Sequence, residues 1–381
     1  MERRFKELPV QDRERRVLLS GGGTAGHVYP ALALAERLRL REPGLRLLYV
    51  GTAEGLEADV VPKQGLEFRT IQVEGLPRRL SPSLLRSLSR LGKGYRQAGR
   101  ILDDFRPQAV VGMGGFVAAP VVFAASRRKI PILIHEQNAV PGLTNRWAAK
   151  VADLIAVSFE DSARHFTSAR PIIVTGNPVR REILEDTRDG YELFELDRQR
   201  KTLLVFGGSR GAKRINDAVI EGLPSVASAA WLQILHVAGK MDFERVRAAT
   251  RSLPAGGLLY RCVPYVEEMG AAYRAADLVA SRAGATTIAE MTALGVAAIL
   301  VPYPFATAGH QELNARYLEK AGGARVIMNE SLDGKTLFEA ATSILSDDAL
   351  LASMRDSARR FGRPEAAEEL ASAVFEIMEG R

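Results

Sequence analysis

The sequence has little cysteine and no long apolar run, and each scarcity excludes a class of protein. Cys262 is the only cysteine among 381 residues, which excludes an intramolecular disulfide and a cysteine-based zinc site. Nowhere do about eighteen apolar residues follow one another, so no membrane-spanning helix is predicted. Residues 1–16 are basic but lack the apolar core of a secretory signal. We expect them to be a disordered extension of a cytoplasmic protein.

Acidic residues are also relatively few. The chain has 45 Asp and Glu against 52 Lys and Arg, which gives a net charge of +7. This balance favours an anionic partner, such as a nucleic acid, a nucleotide or the inner face of a bilayer. Apolar residues make up 46% of the chain and charged residues 25%, as in folded globular proteins. At roughly 100–200 residues per domain, the length predicts about two domains.

Apolar strand-like runs alternate with helical stretches, and this pattern starts twice. The predicted strands are 17–20, 45–50, 109–111, 130–134, 154–157 and 172–174, then 203–206, 234–237, 258–260, 278–280, 298–301 and 324–327. Between the two series, residues 176–200 are rich in charged and turn residues and are predicted to be the linker. The alternation predicts an α/β fold with parallel sheets covered by helices on both faces.

A glycine-rich turn follows the opening strand of each half. Gly21-x-Gly23-x-x-Gly26 matches the dinucleotide-binding fingerprint, in which backbone N–H groups approach a phosphate, and 207–212 is the second such turn. The second strand ends in Gly51-Thr52 with Glu54 as the nearest acid, so the ribose-binding carboxylate of a nicotinamide site is missing. Either turn alone is better explained as a tight turn that lets a helix pack on a strand. Two turns facing one cleft favour a diphosphate held between two domains.

A third turn, 282–287, follows the strand 278–281 and precedes a helix predicted to open at Ile288. Its small residues and hydroxyls suit a diphosphate at a helix start. Glu290 is placed to accept hydrogen bonds from both hydroxyls of a ribose. The alternative is an ordinary first-turn glutamate, which the helix dipole favours.

Seven motifs in this chain resemble the bacterial MurG family of glycosyltransferases, in family order. They are Gly22–His27, Gly112–Phe116, His135–Asn138, Gly176–Arg180, Gly207–Ala212, Arg282–Glu290 and His310–Ala315. The resemblance implies a GT-B fold, with two Rossmann-like domains (17–178 and 179–361) facing a deep cleft and a terminal helix (362–381) returning to the first. It also implies inverting transfer of N-acetylglucosamine from UDP-N-acetylglucosamine to the muramyl 4-hydroxyl of lipid I, which gives lipid II in peptidoglycan synthesis.

The resemblance also implies a donor site mainly on the second domain. Arg180 and Ser209 match contacts to the diphosphate, Val266 a backbone contact to uracil, and Gln311 a contact to the donor sugar. The nucleotide-binding turn corresponds to Ala285, Thr286, Thr287, Ile288, Ala289 and Glu290, with Glu290 on the ribose. On the first domain, the residues that match family positions closing over the donor sugar from the other side are Thr24, Ala25, Gly26 and Asn138. Departures from the family pattern are His310 and the small, apolar tract 302–309.

His27 is the best candidate for the base that takes the acceptor proton, because it directly follows the first glycine turn and neutral imidazole suits proton transfer. Its alternative is a histidine that caps or packs under the turn. Glu136 either orients His27, acts in its place, or is a structural carboxylate that satisfies loop amides. There is no Asp-x-Asp triplet and no metal-ligand spacing of histidines. We therefore expect no protein-held metal, although assistance by a soluble divalent cation such as Mg²⁺ stays open.

Residues 76–100 form a basic stretch without acidic residues. It contains Arg78, Arg79, Arg86, Arg90, Lys93, Arg96 and Arg100. Leucines recur at helical spacing after Ser81-Pro82, so a basic amphipathic helix is predicted. Such a helix suits the anionic inner leaflet of the cytoplasmic membrane, with the protein bound peripherally; the alternative is an ordinary surface helix. Nucleic-acid binding lacks support because basic and aromatic residues are not interleaved.

Two other functions remain open from the sequence. One is a different GT-B enzyme, either a diacylglycerol glycosyltransferase or a UDP-N-acetylglucosamine epimerase. The other is a non-catalytic nucleotide-binding protein at the membrane. An epimerase converts donor without an acceptor, whereas a non-catalytic protein shows no turnover at all.

Overall fold

Two parallel β-sheets, one in each half of the chain, organise the computed structural model. The structure describes residues 14–75, 82–167, 169–208, 211–251, 257–306 and 309–380. The strands of the first sheet are β1 (Arg16–Ser20), β2 (Arg46–Gly51), β3 (Glu67–Thr70), β4 (Ala109–Gly112), β5 (Ile132–Glu136), β6 (Leu154–Val157) and β7 (Ile172–Val174). The strands of the second sheet are β8 (Lys201–Phe206), β9 (Leu232–Val237), β10 (Leu259–Val263), β11 (Leu278–Ser281), β12 (Ala297–Leu300) and β13 (Ala324–Val326).

Helices connect and cover these strands. The first half contains α1 (Ala25–Arg41), α2 (Leu56–Lys63), α3 (Pro82–Phe105), α4 (Gly115–Arg127) and α5 (Leu143–Ala148). Two short helices, α6 (Arg181–Leu184) and α7 (Gly190–Leu193), lie in the predicted linker. The second half contains α8 (Lys213–Val226), α9 (Phe243–Ala249), α10 (Met269–Ala275), α11 (Ala285–Ala293), α12 (His310–Lys320), α13 (Gly334–Leu345), α14 (Asp348–Phe361) and α15 (Ala366–Met378). Short 3-10 helices span Glu160–His165 and Asn329–Ser331.

The predicted α/β class with parallel sheets is confirmed, since every strand pairing that the structure describes is parallel. The sequence missed β3, an edge strand of four residues in which charged Glu67 and Arg69 leave little apolar signal. The strand predicted at 130–134 instead spans Ile132–Glu136. Pro131 has no N–H to donate to a strand ladder, so the strand begins after it.

The order of the strands determines where a ligand can bind. The first sheet has the order β3-β2-β1-β4-β5-β6-β7 and the second β10-β9-β8-β11-β12-β13. Each sheet reverses its winding next to its opening strand, and ligands of such folds bind in the crevice at the carboxyl ends of the strands beside that point. The glycine turns after β1 and β8 lie at these two positions.

The last helix belongs to the core of the first domain. Leu370, Val374 and Ile377 of α15 are buried in the apolar cluster that includes Val28 and Leu38 of α1. The Arg37 side chain also pairs with Glu368 across the two helices. A segment from the end of the sequence therefore completes the domain that the first residues begin.

Candidate active site

Backbone geometry fixes the first glycine turn before any ligand is considered. The Tyr49 hydroxyl donates a 3.0 Å hydrogen bond to the Gly21 carbonyl from beneath the turn. Gly23 has a φ of +83°, a conformation that favours glycine. Thr24 has an extended conformation and directly precedes α1. His27 is the third residue of α1 and so lies in its first turn.

His27 has the hydrogen bonds expected of a neutral base. Its Nδ1 lies 3.1 Å from the Gly22 carbonyl oxygen and 3.1 Å from Thr24 Oγ1. Because a carbonyl oxygen only accepts, Nδ1 carries the proton and Nε2 keeps its lone pair. Within the described part of the chain, no hydrogen bond engages Nε2. Burial lowers the pKa of His27, and His310 across the cleft lowers it further, although the Gly22 carbonyl and Glu57 act in the opposite direction.

The contacts of Glu136 are those of the structural alternative. It lies inside β5 rather than after it, and its buried carboxylate accepts hydrogen bonds from backbone and side-chain amides of the following loop and of α5. The donors are Asn138 N (2.9 Å), Asn138 Nδ2 (3.2 Å), Gly142 N (3.1 Å) and Asn145 Nδ2 (2.8 Å). Burial raises the pKa of Glu136, while these hydrogen bonds lower it. The preceding His135 is equally buried and bonds through Nε2 to the Gly176 carbonyl.

Replacing Glu136 with glutamine should destabilise the protein by about 1–3 kcal/mol, because the new amide would face loop N–H donors and leave at least one unpaired. Chemical denaturation measures this change. Glu160→Gln, at an exposed carboxylate that begins the 3-10 helix Glu160–His165, is the control. Unchanged stability combined with lost turnover would contradict the structural role and restore Glu136 as a participant in the chemistry.

Asn138 connects the two domains. Its Oδ1 accepts from Asn314 Nδ2 at 3.2 Å, and the next residue, Ala139, donates its N–H to Asn314 Oδ1 at 2.9 Å. Asn314 Nδ2 also donates to the Ala283 carbonyl, which belongs to the third turn. Sequence reasoning included Asn314 in a motif but assigned it no role, because only the folded chain brings it to Asn138.

Glu290 is buried on the second-domain side of the cleft. The helix α11 opens at Ala285 and not at Ile288 as predicted, so Glu290 lies in its second turn and a first-turn dipole role is wrong. Its carboxylate accepts from Arg180 Nη2 at 3.3 Å and from the Tyr273 hydroxyl at 3.1 Å. Burial raises the pKa of Glu290, while the Arg180 charge and the Tyr273 hydroxyl lower it.

Arg180 reaches from the second domain to the first. Its guanidinium carbon lies 4.4 Å from the ring centroid of Tyr29, a residue of α1 that sequence reasoning did not single out. Among the described residues, none forms a hydrogen bond with the buried Arg180 Nε or with the buried Thr286 Oγ1, which is a costly state for polar atoms. Both atoms are hydrogen-bond donors, the kind of group from which a bound anion accepts.

The remaining predicted residues distribute as follows. Thr24, Ala25 and Gly26 line the start of α1, while Thr287 and Ala289 are half-buried on α11. Ile288 and Val266 belong to an apolar cluster of the second domain. Gln311 is the second residue of α12, and its Oε1 accepts from the Tyr303 N–H at 2.9 Å. Ser209 lies outside the described residues.

The described residues contain no group of three or more His, Cys, Asp or Glu side chains placed to hold a metal ion. The same part of the chain contains no helix long and apolar enough to cross a membrane. The positive groups at the cleft include Arg180 and the N-terminal N–H groups of α1 and α11.

Comparison with known families identifies both halves of the chain. Residues 17–157 match the glycosyltransferase family 28 N-terminal domain, and residues 202–370 match the glycosyltransferase family 28 C-terminal domain. A relative from Desulforamulus reducens is 45% identical over 369 residues, covering 95% of this chain and 99% of its own length. One from Listeria monocytogenes serovar 1/2a is 44% identical over 364 residues, covering 95% and 99%. Both are named UDP-N-acetylglucosamine--N-acetylmuramyl-(pentapeptide) pyrophosphoryl-undecaprenol N-acetylglucosamine transferase.

Solved structures give the same assignment. The crystal structure of Acinetobacter baumannii MurG superimposes with a TM-score of 0.77 at 31% identity, covering 95% of this chain and 99% of that one. The predicted GT-B architecture is thereby confirmed. A UDP-GlcNAc 2-epimerase from Neisseria meningitidis, solved with UDP-GlcNAc, has a TM-score of 0.69 at 14% identity, covering 95% of this chain and 100% of that one. At that identity it shares the fold alone.

Proposed function

The chain belongs to glycosyltransferase family 28, and we propose that it transfers N-acetylglucosamine from UDP-N-acetylglucosamine to the muramyl 4-hydroxyl of lipid I, giving lipid II for peptidoglycan synthesis. Relatives 43–45% identical over about 95% of the chain carry this activity in their names. One structural observation supports the reaction most directly. His27 of the first domain and the Arg180–Glu290 pair of the second lie at one cleft. Tyr29, two residues after His27, connects them because its ring contacts the Arg180 guanidinium.

The proposed transfer needs a base on one side of the sugar and positive charge on the other. The acceptor hydroxyl gives its proton to His27 Nε2 while its oxygen bonds to C1 of the sugar. The bond from C1 to the diphosphate breaks on the opposite face, so the configuration inverts and UDP leaves. Arg180 and the N–H groups at the start of α11 stabilise the departing negative charge. Glu290 holds the ribose.

The proposal is tested by incubating purified protein with radiolabelled UDP-N-acetylglucosamine and a lipid I analogue, and then counting label in the lipid fraction. Labelled lipid II is the expected product. Absence of label beside an active relative would refute the transfer. Donor conversion without acceptor would indicate an epimerase, and label in added diacylglycerol would indicate the other transferase.

We propose that the protein holds no catalytic metal, with Arg180 and helix N-termini in its place. After dialysis against a chelator and return to metal-free buffer, elemental analysis should find no stoichiometric metal. Activity should then either persist or return on adding Mg²⁺, which would act as a soluble partner of the diphosphate. A tightly retained metal whose removal unfolds the protein would contradict this proposal.

We further propose that the protein binds peripherally to the anionic cytoplasmic face of the membrane through the face that carries α3. Of the basic stretch, residues 76–81 lie outside the described residues, and α3 begins at Pro82. Helix α4 packs against both α3 and α5, so these three helices share one face of the first sheet. On α5, Leu143 is 57% exposed and Trp147 is 41% exposed, four residues apart and beside the basic Arg146. Exposed apolar side chains among basic residues suit a bilayer surface.

Replacing both Leu143 and Trp147 with serine should weaken binding to anionic vesicles by about tenfold or more, because two side chains no longer enter the bilayer interface. Vesicle sedimentation at several salt concentrations measures the loss. Trp231→Ser, at a tryptophan of the second domain with 40% exposure, is the matched control. Equal binding by all three proteins would place the membrane contact elsewhere.

A further inference from the structure

A buried carboxylate that the proposed mechanism does not use lies beneath the first glycine turn. Glu57, the second residue of α2, is 0% exposed. Its carboxylate accepts from Gly23 N at 3.3 Å, Thr52 N at 3.1 Å and Thr52 Oγ1 at 2.8 Å. Among the ion pairs of the described residues, none involves Glu57. A fully buried carboxylate without a cation is costly. We therefore ask which part of the structure its hydrogen bonds hold in place.

The surrounding backbone is shaped around Glu57. A Cβ placed on Gly22, Gly51 or Gly55 would approach the Glu57 side chain to 2.4, 2.5 and 2.3 Å, distances that real atoms do not adopt. The three glycines thus leave the space that the carboxylate fills. The sequence comparison with nicotinamide sites considered Glu54, which is exposed; the carboxylate that reaches the end of β2 comes instead from the next helix.

Glu57 and His27 act on the same short turn. Glu57 holds the Gly23 N–H, Tyr49 holds the Gly21 carbonyl, and the carbonyl between them, that of Gly22, accepts from His27 Nδ1. The position of that carbonyl decides which nitrogen of His27 carries a proton. The position of the imidazole therefore depends, through the backbone of this turn, on the position of Glu57.

We infer that Glu57 is a positioning residue for the transfer, holding the glycine turn so that the Gly22 carbonyl keeps the His27 Nε2 lone pair available for the acceptor proton. The inference rests on the proposed function. In the step itself, the hydroxyl proton moves to Nε2, Nδ1 keeps its proton on Gly22, and Glu57 exchanges none. The negative charge of Glu57 also favours the imidazolium that forms, since it raises the pKa of His27 against the effects of burial and His310.

The test is Glu57→Gln, which keeps the shape but replaces one acceptor oxygen with a donor that opposes Gly23 N–H or Thr52. We expect kcat to fall about 10- to 100-fold, the loss typical of a misplaced catalytic group. The KM for UDP-N-acetylglucosamine should stay within about twofold of wild type, because that site lies mainly on the second domain. The acidic limb of the kcat profile should move to lower pH, since the loss of the charge lowers the pKa of His27 further. Glu54→Gln, three residues earlier and exposed, is the matched control and should behave as wild type.

A second comparison separates positioning from general stability. In a His27→Ala background, Glu57→Gln should lower kcat little further, because the two residues act through one path. Independent losses in the double variant, or a wild-type kcat and pH profile in Glu57→Gln, would overturn the inference while leaving the proposed function intact. Wild-type protein without transferase activity would instead refute the proposed function.

If Glu57→Gln does not fold, Thr52→Val supplies the same measurement. It removes the hydroxyl that donates to Glu57 but leaves the carboxylate and both backbone donors in place. A kcat loss of a few-fold that disappears in the His27→Ala background supports positioning. A loss that persists there contradicts it.

Discussion

Replacing His27 with alanine is expected to lower transferase turnover about 10²- to 10⁴-fold, the usual contribution of a general base. Affinity for UDP-N-acetylglucosamine should be unchanged, because the contacts predicted for the nucleotide lie on the second domain. Steady-state kinetics with a lipid I analogue and titration with UDP-N-acetylglucosamine measure the two quantities. His165→Ala, at an exposed histidine of a surface 3-10 helix, is the control.

The pH dependence gives an independent check on the same residue. Burial lowers the pKa of His27, so the imidazole stays neutral, and able to accept a proton, to lower pH than an ordinary histidine. Activity should therefore persist through neutral pH and fall only as the pH drops through that lowered pKa. The acidic limb should be absent from the residual activity of His27→Ala. Its persistence there, or turnover close to wild type, would mean that His27 caps the turn and another group is the base.

Replacing Arg180 with alanine should reduce kcat/KM for the donor by about 10²- to 10³-fold, the range for loss of one donor to developing negative charge. Two effects add in this variant. The diphosphate loses a positive partner, and the buried carboxylate of Glu290 loses the guanidinium 3.3 Å away, leaving Tyr273 as its remaining side-chain donor. Donor titration and single-turnover kinetics separate weaker binding from slower transfer.

The neighbouring Arg181 supplies the matched control for Arg180. It is exposed and bonds to Glu185, the residue just after its own short helix, so Arg181→Ala should leave kcat/KM unchanged. Arg180→Lys should recover only part of the loss, because an ammonium neither stacks on Tyr29 as a planar guanidinium does nor donates in a fork. Wild-type donor kinetics in Arg180→Ala would show that the Glu290 pair is structural.

What the sequence could predict follows from how local each signal is. An apolar run, a glycine turn and a helix are contiguous, so the strands, the α/β class and the turn that presents His27 were accessible from the chain alone. The predicted start of α11, at Ile288, was wrong because Ala285–Thr287 offers no strong capping signal. Edge strand β3 was missed for want of an apolar pattern.

Contacts that join distant segments had no such signal. Tyr29 meets Arg180 and Asn138 meets Asn314 only after the two domains come together across the cleft. Glu57 was overlooked because fingerprint reasoning looks for a carboxylate at the end of a strand, whereas this one is carried in by the following helix. Glu136 was ambiguous for a similar reason, since its four donors belong to the loop after β5 and to the short helix α5, whose path the sequence does not specify.

The packing of α15 against α1 has a consequence for how the protein is made. During synthesis the segment that contains His27 leaves the ribosome before the second domain, whereas Leu370, Val374 and Ile377 of the same apolar core are translated after that domain. Part of α1 therefore stays uncovered until the whole second domain has been synthesised. Deletion of α15 would thus destabilise the first domain, although the entire second domain separates the two segments in the sequence.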